Sequence, residues 1–304
     1  NFVVGNIAAT AGTGTPSLDI DIDSTGVAGA ANTIGSIDLG TTGSITELNY
    51  NRGAINQNDT VGTVTAVNLN ALNITTLNGG GDLTINSMAG ITGAIGNVVI
   101  DADDTVTFST GATAATSIGN ITVTGLDNGT SVDFGTWGAA NSTIGDITWK
   151  GAYAAGADLT TGAALTVGAV DTSAVTAGTV TVVLSNSTVI GTTMTGGAGV
   201  DAFTGTGAAD TISGAGGADT LVGNDGNDTI TGGAAADTIT GGAGADNITG
   251  GAGADRIIMN AQNTNGIDTV TLGVVDGTAI QDVFDFTAQA AFIGTTTEDI
   301  VIND

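Results

Sequence analysis

The sequence predicts an all-β protein, a parallel β-helix (β-solenoid) continuing into a parallel β-roll. Three observations carry that prediction. A nine-residue period runs without a break from residue 196 to residue 258. Before it, a looser element of the form Ile/Val-Gly-x-Ile/Val recurs five times. The composition suits thin stacked coils, with 51 Gly, 1 Pro, 4% aromatics and large apolar residues that are mostly Ile, Val and Leu.

Residues 1–195 make the first expected domain, an irregular parallel β-helix. Its recurring elements are Ile34-Gly-Ser-Ile37, Val61-Gly-Thr-Val64, Ile95-Gly-Asn-Val98, Ile118-Gly-Asn-Ile121 and Ile144-Gly-Asp-Ile147, spaced by 27, 34, 23 and 26 residues. They run into alternating residues such as Ile121-Thr-Val-Thr124, whose side chains take opposite faces of a strand. The spacings suit one turn of a β-helix with loops of varying size. Further strand candidates are 69–77, 83–85, 105–108, 132–134 and 180–184. Few stretches combine helix formers at the helical period. An antiparallel sandwich is the competing reading, and the mutual likeness of the elements favours the β-helix. Two acidic clusters stand out. Asp19, Asp21 and Asp23 share one strand face, and Asp101, Asp103 and Asp104 follow the strand ending at Ile100. Each reads either as a further cation site or as a solvated acidic surface. Trp137 and Trp149 are expected to pack locally.

Residues 196–258 make the second domain, seven repeats at 196–204, 205–213, 214–222, 223–231, 232–240, 241–249 and 250–258. Each opens with Gly, carries Asp at its sixth place and a large apolar residue at its eighth. The aspartates are Asp201, Asp210, Asp219, Asp228, Asp237, Asp246 and Asp255. The apolar residues are Phe203, Ile212, Leu221, Ile230, Ile239, Ile248 and Ile257. A six-residue turn and a three-residue strand account for the pattern. Only the central strand residue points inward. Two repeats make one 18-residue coil with a strand on each side. The turn is Gly-rich because its backbone must take positive φ and pass close to an ion. Hard cations such as calcium take roughly six to eight oxygens from carboxylates and carbonyls, and Asp supplies the carboxylate on a short stem. Ala208 and Ala235 replace the fourth-place Gly, at a cost of roughly 1 kcal/mol wherever φ is positive.

These residues resemble the RTX nonapeptide, GGxGxDxUx. Residues 241–249 and 250–258 fit every fixed place. The resemblance implies a calcium-binding parallel β-roll in which a site draws Asp and carbonyls from repeat n and repeat n+2. Seven repeats then form at most five full sites, pairing 1 with 3, 2 with 4, 3 with 5, 4 with 6 and 5 with 7. The first would use Gly197, Gly199 and Asp201 with Gly214, Gly216 and Asp219. The last would use Gly233, Ala235 and Asp237 with Gly250, Ala252 and Asp255. Between them Gly217, Gly223, Asp225, Gly226, Asp228, Gly232, Gly241, Asp210 and Asp246 complete the implied ligand set. Residues 259–304 are expected to be a C-terminal β cap and a type I secretion signal region. Asp268-Thr-Val-Thr-Leu272 and Asp282-Val-Phe-Asp-Phe286 resemble the acidic and apolar segments that come after RTX arrays.

Composition also excludes. The chain holds 3 basic and 30 acidic residues, a formal net charge of −27. Such an excess repels nucleic acid and anionic lipid, and five Ca2+ would cancel ten of those charges. Cys and His are absent, which removes disulfides, thiol chemistry, Ser-His-Asp and Cys-His machinery and zinc proteolysis. No apolar run approaches the ~20 residues of a membrane helix. With Arg52, Lys150 and Arg256 its only cationic side chains, the chain is not expected to be an enzyme. Opening at Asn1 without Met, it reads as a fragment or a processed product. The Thr/Ala/Gly/Asn-rich body and the array near the C-terminus resemble bacterial surface-layer proteins of the RTX class, Caulobacter type. That resemblance implies a secreted, extracellular structural protein of a Gram-negative cell surface. It would assemble with copies of itself and anchor to cell-surface polysaccharide through a region outside this sequence. An RTX adhesin segment, as stalk or ligand-binding tip, is the alternative, and a polysaccharide-acting enzyme a more distant one. In an adhesin, a Thr-rich face could bind glycan or ice; the regular outward Thr-x-Thr ladders that would support ice binding are seen only as scattered cases such as Thr122-Val-Thr124 and Thr269-Val-Thr271.

Overall fold

A computed structural model describes residues 3–8, 17–22, 32–40, 47–52, 58–76, 81–102, 105–125, 132–137, 142–152, 157–161, 166–184, 190–259, 267–271, 282–285 and 301–303. The described residues contain strands, turns and bends and no helix. The fold is the expected all-β parallel solenoid. Two compact units divide the chain, Asn1–Thr166 and Val167–Asp304.

In the first unit, one sheet runs in the order Val3–Ala8, Asn32–Asp38, Asp59–Ala66, Leu83–Ile91, Val106–Phe108, Val132–Trp137 and Ala157–Thr161. The other runs Ser17–Ile22, Glu47–Arg52, Leu69–Thr76, Ala94–Ala102, Ile121–Gly125 and Ile147–Ala152. All neighbouring pairs are parallel. The recurring elements stack in register, but on both sheets. Ile34 pairs with Val61 and Ile37 with Val64 on the first. Ile95, Ile118 and Ile144 align on the second, as do Val98, Ile121 and Ile147. The 34-residue spacing is therefore the one that changes sheets. The Gly inside four of the five elements sits where coils press together: a Cβ at Gly62 or Gly96 would run into the carbonyl of Gly35 or Asn70, and one at Gly119 or Gly145 into Gly96 or Asn120.

Asparagine side chains tie these coils to one another. Asn58, Asn68, Asn97 and Asn120 accept the backbone N–H of Asp82, Ala94, Asn120 and Asp146 through Oδ1, at 2.9 to 3.2 Å. A neutral acceptor satisfies the amide without burying a charge. Phe108 and Phe134 stack with centroids 5.6 Å apart, Trp137 meets both edge-on at 5.2 Å, and Trp149 lies 6.3 Å from Phe134. All four are fully buried, so both tryptophans pack locally, as expected.

The second unit carries the repeats. Odd repeats lie on one sheet, where Val182, Phe203, Leu221, Ile239, Ile257 and Phe284 align. Even repeats lie on the other, where Met194, Ile212, Ile230, Ile248, Val270 and Ile302 align. Phe203 through Ile257 are all buried, and each such side chain contributes roughly 1.5–3 kcal/mol relative to exposure. The strands are longer than the three residues expected. Thr211–Gly216, Thr229–Ala234 and Asn247–Ala252 run on into the next turn, because turn residues such as Ala215 and Gly233 keep pairing across coils.

The even sheet shows an order hidden in the sequence. Thr193, Thr211, Thr229, Asn247 and Thr269 form one outward row, and Thr195, Ser213, Thr231, Thr249 and Thr271 a second. No charge interrupts either row.

Candidate metal centre

Every sixth-place aspartate of the array is buried, between 1% and 3% exposed. A buried carboxylate needs partners, and the coil stacking supplies one for Oδ1 in repeats three to seven. The backbone N–H groups of Asp201, Asp210, Asp219, Asp228 and Asp237 donate to Oδ1 of Asp219, Asp228, Asp237, Asp246 and Asp255, at 2.8 to 2.9 Å. Main-chain bonds run alongside. Asp210, Asp219, Asp228 and Asp237 accept through their carbonyls from Thr229, Thr238, Asn247 and Arg256, at 2.8 to 2.9 Å. The aspartates thus form two ladders, one along each edge of the roll.

Oδ2 divides the array. In the first two repeats it is satisfied: Gly197 N–H donates to Asp201 at 3.0 Å, and Thr206 donates to Asp210 from both N–H and Oγ1. In repeats three to seven, Oδ2 of Asp219, Asp228, Asp237, Asp246 and Asp255 is buried without a hydrogen-bond partner. Each lies over the first-place Gly of its own repeat, where a Cβ would strike it. For Gly214, Gly223 and Gly232 the carbonyl of the first-place Gly one coil later, Gly232, Gly241 and Gly250, converges on the same spot. Gly196 and Gly205 see the same convergence from Gly214 and Gly223. All five implied pairs therefore bring a carboxylate oxygen and a carbonyl together.

Positive φ falls at two places of the turn only. The second and fourth places of repeats three to seven carry it, and the first place does not. First-place Gly is required by the neighbouring carboxylate, not by its own backbone angle. Ala215 and Asn224 take φ of 70° and 79° at second places, and Ala235 takes 79° at a fourth place. Ala235 therefore carries the strain expected of it, on the order of 1 kcal/mol. Ala208 escapes it. Its N–H donates to Thr206 Oγ1 at 3.1 Å, and that side chain reshapes the second turn.

Burial pushes these carboxyls up. Desolvation raises Asp228 and Asp237 to about 7 and Asp219 and Asp246 to about 6, against the pull of the ladder hydrogen bonds. Asp201 rises to about 7, and Asp210 and Asp255 rise as well, for the same first cause. Charge repulsion between successive ladder members adds to the rise at Asp201, Asp228, Asp237 and Asp246. A site that buries anionic oxygen, offers carbonyls and contains no nitrogen or sulfur ligand fits a hard cation. Among the described residues no three acidic side chains converge, so carbonyls must furnish much of the coordination.

The other expected residues separate clearly. Gly197, Gly199, Gly216, Gly217, Gly226, Gly233, Gly241 and Gly250 all line the stacked turns. Asp225 is exposed and reaches the ladder only through its charge on Asp228. Asp19 and Asp21 face outward and accept from Asn49 and Asn51, at 2.5 and 2.8 Å. Asp101 is half-buried, in register with Thr75. Asp23, Asp103 and Asp104 lie outside the described residues. Sequence reasoning missed Thr192, whose N–H donates to Asp210 Oδ1 at 2.6 Å. It also missed the ladder role of Asp268 and Asp282, which accept from Asp246 and Asp255. The signal for these two was the Asp-x-apolar order shared with the repeats.

The family model of the RTX calcium-binding nonapeptide repeat (4 copies) matches residues 195–230 and 222–257. Comparison with curated proteins and with solved structures returned no match. Residues 195–257 are therefore RTX calcium-binding nonapeptide repeats, and Ca2+ is the cation their turns take.

Proposed function

We propose that this chain is a calcium-dependent structural protein of the bacterial cell exterior, assembling with copies of itself into a surface layer. The observation that carries the calcium half is the set of five buried carboxylate oxygens without partners. Asp219, Asp228 and Asp237, with the carbonyls of Gly232, Gly241 and Gly250, would hold the ions. Asp201 and Asp210 would join at the N-terminal end by giving up their Oδ2 hydrogen bonds. Bound calcium supplies positive charge where the fold has buried negative charge. Each site then adds RT ln(1+[L]/Kd) to folding, about 2.7 kcal/mol at a hundred times Kd. At low calcium the −27 chain repels itself, and calcium outside a cell would complete the fold after export. The layer reading rests on the Thr/Ala/Gly/Asn-rich solenoid body joined to the nonapeptide array, on the absence of Cys, the single Lys and the acidic balance of the chain.

The paired rows on the even sheet favour a second reading, an adhesin segment. An uncharged outward array of Thr and Ser hydroxyls with one Asn amide, repeated coil after coil, suits contact with a foreign surface. Negative-stain electron microscopy of the purified chain, with millimolar calcium and with EGTA, separates the two. Ordered sheets only with calcium support the layer. Dispersed, folded particles with calcium overturn it in favour of the adhesin.

A further inference from the structure

Seven nonapeptides supply five pairs, from 1 with 3 to 5 with 7. The open carboxylates are also five, but they belong to repeats three to seven and not to repeats one to five, which open those pairs. Asp246 and Asp255 are 2% and 1% exposed, and each holds an unpartnered Oδ2. Neither has a nonapeptide one coil later to complete its site. A strand from the C-terminal segment takes that place in each case. Asn247, Ile248 and Thr249 pair with Thr269, Val270 and Thr271. Arg256, Ile257 and Ile258 pair with Val283, Phe284 and Asp285.

Both bonds of the ladder persist there. Asp246 N–H donates to Asp268 Oδ1 at 2.9 Å and Asp255 N–H to Asp282 Oδ1 at 3.0 Å, while the Asp246 and Asp255 carbonyls accept from Thr269 and Val283 at 2.8 and 2.7 Å. These are the bonds that join repeat to repeat inside the array. Asp268 is 6% exposed. Only the separation changes, to 22 and 27 residues from the 18 of the array. The inserted residues fall between one ladder aspartate and the next, so they break the sequence period and leave the stacking intact.

We propose that Asp268 and Asp282 are the eighth and ninth acidic members of the calcium ladders. They join Asp246 and Asp255 in two further calcium sites beyond the recognisable repeats. The C-terminal segment is then part of the metal-binding structure as well as its cap. This inference rests on the calcium reading of the array.

Equilibrium dialysis of the full chain against calcium tests it, using Asp268→Asn, Asp282→Asn, Asp228→Asn and Asp285→Asn. Asn keeps the Oδ1 acceptor of the ladder and removes the charge, so far-UV circular dichroism in saturating calcium should match the parent. Asp268→Asn and Asp282→Asn should each lose about one bound calcium per chain, and Asp228→Asn, which belongs to two pairs, about one to two. Asp285→Asn, on the neighbouring strand and paired with Arg256, should lose none. Full stoichiometry in Asp268→Asn and Asp282→Asn, with loss in Asp228→Asn, overturns the inference and spares the array. Full stoichiometry in Asp228→Asn overturns the calcium reading itself.

Discussion

Replacing Asp228 by Asn should have opposite effects with and without calcium. Oδ1 of Asp228 accepts from Asp210 N–H at 2.8 Å, and an Asn oxygen keeps that bond. Oδ2 has no partner and lies over Gly223 beside the Gly241 carbonyl. The Asn amide there becomes a donor facing an acceptor, so the turn is satisfied without an ion. Burial raises the Asp228 carboxyl from 3.8 to about 7. At about 1.4 kcal/mol per pH unit, the charged form costs the calcium-free fold at most about 4 kcal/mol. Because the folded pKa lies above the unfolded one, the cost is absent below pH about 4, where both states are protonated, and complete above pH about 7. Urea unfolding in EGTA at pH 8 should therefore show Asp228→Asn more stable than the parent by up to about 4 kcal/mol. The gain should shrink on acidification and vanish near pH 4. In millimolar calcium the order should reverse, because the variant has lost a ligand. A variant weaker than the parent in EGTA at pH 8, or a gain that survives at pH 4, would refute the reasoning.

Three further outcomes are expected. In calcium, Asp219→Ala and Asp228→Ala should lower calcium affinity and melting temperature more than Asp201→Ala, whose Oδ2 already accepts from Gly197 N–H; isothermal titration and thermal scans of the three variants check this. Gly223→Ala should cost about 1–3 kcal/mol by driving a Cβ into the Asp228 carboxylate, while Gly216→Ala should be near neutral, its nearest atoms being Gly197 O at 3.6 Å and Ala198 Cα at 3.7 Å; urea midpoints in calcium separate the two. In EGTA at pH 8, hydrogen exchange should open amides of 200–258 well before those of 83–125, because the Asn ties of the first unit bury no charge.

The sequence made the fold legible wherever one rule repeated. The nine-residue period gave the 18-residue coil, the alternation of odd and even repeats and the inward Ile, Leu and Phe series. The Ile/Val-Gly-x-Ile/Val elements gave the stacking of the first unit, although nothing in them tells which sheet a given copy joins. The reason for the first-place Gly stayed hidden, because the carboxylate it avoids is five residues away in the chain and adjacent only once the turn closes. The rows through Thr193 and Thr195 were equally obscure. Their members recur a full coil apart, with repeats of the opposite sheet lying between them. Asp268 and Asp282 escaped because insertions shift the count, and a period is visible in sequence only while the count holds.

The Asn-to-amide ties of the first unit and the Asp ladder of the second run in opposite directions. In the first, an Asn side chain accepts from the coil that comes after it. In the second, an Asp side chain accepts from the coil that came before. A turn of the roll is therefore fastened by residues that lie further along the chain. The carboxylate ladder has a polarity, each acceptor lying one coil nearer the C-terminal end than its donor. Cutting away the last coils should strip amide donors of their acceptors, whereas removing the first repeat should strip the buried Asp219 Oδ1 of its donor and leave a carboxylate with neither oxygen satisfied.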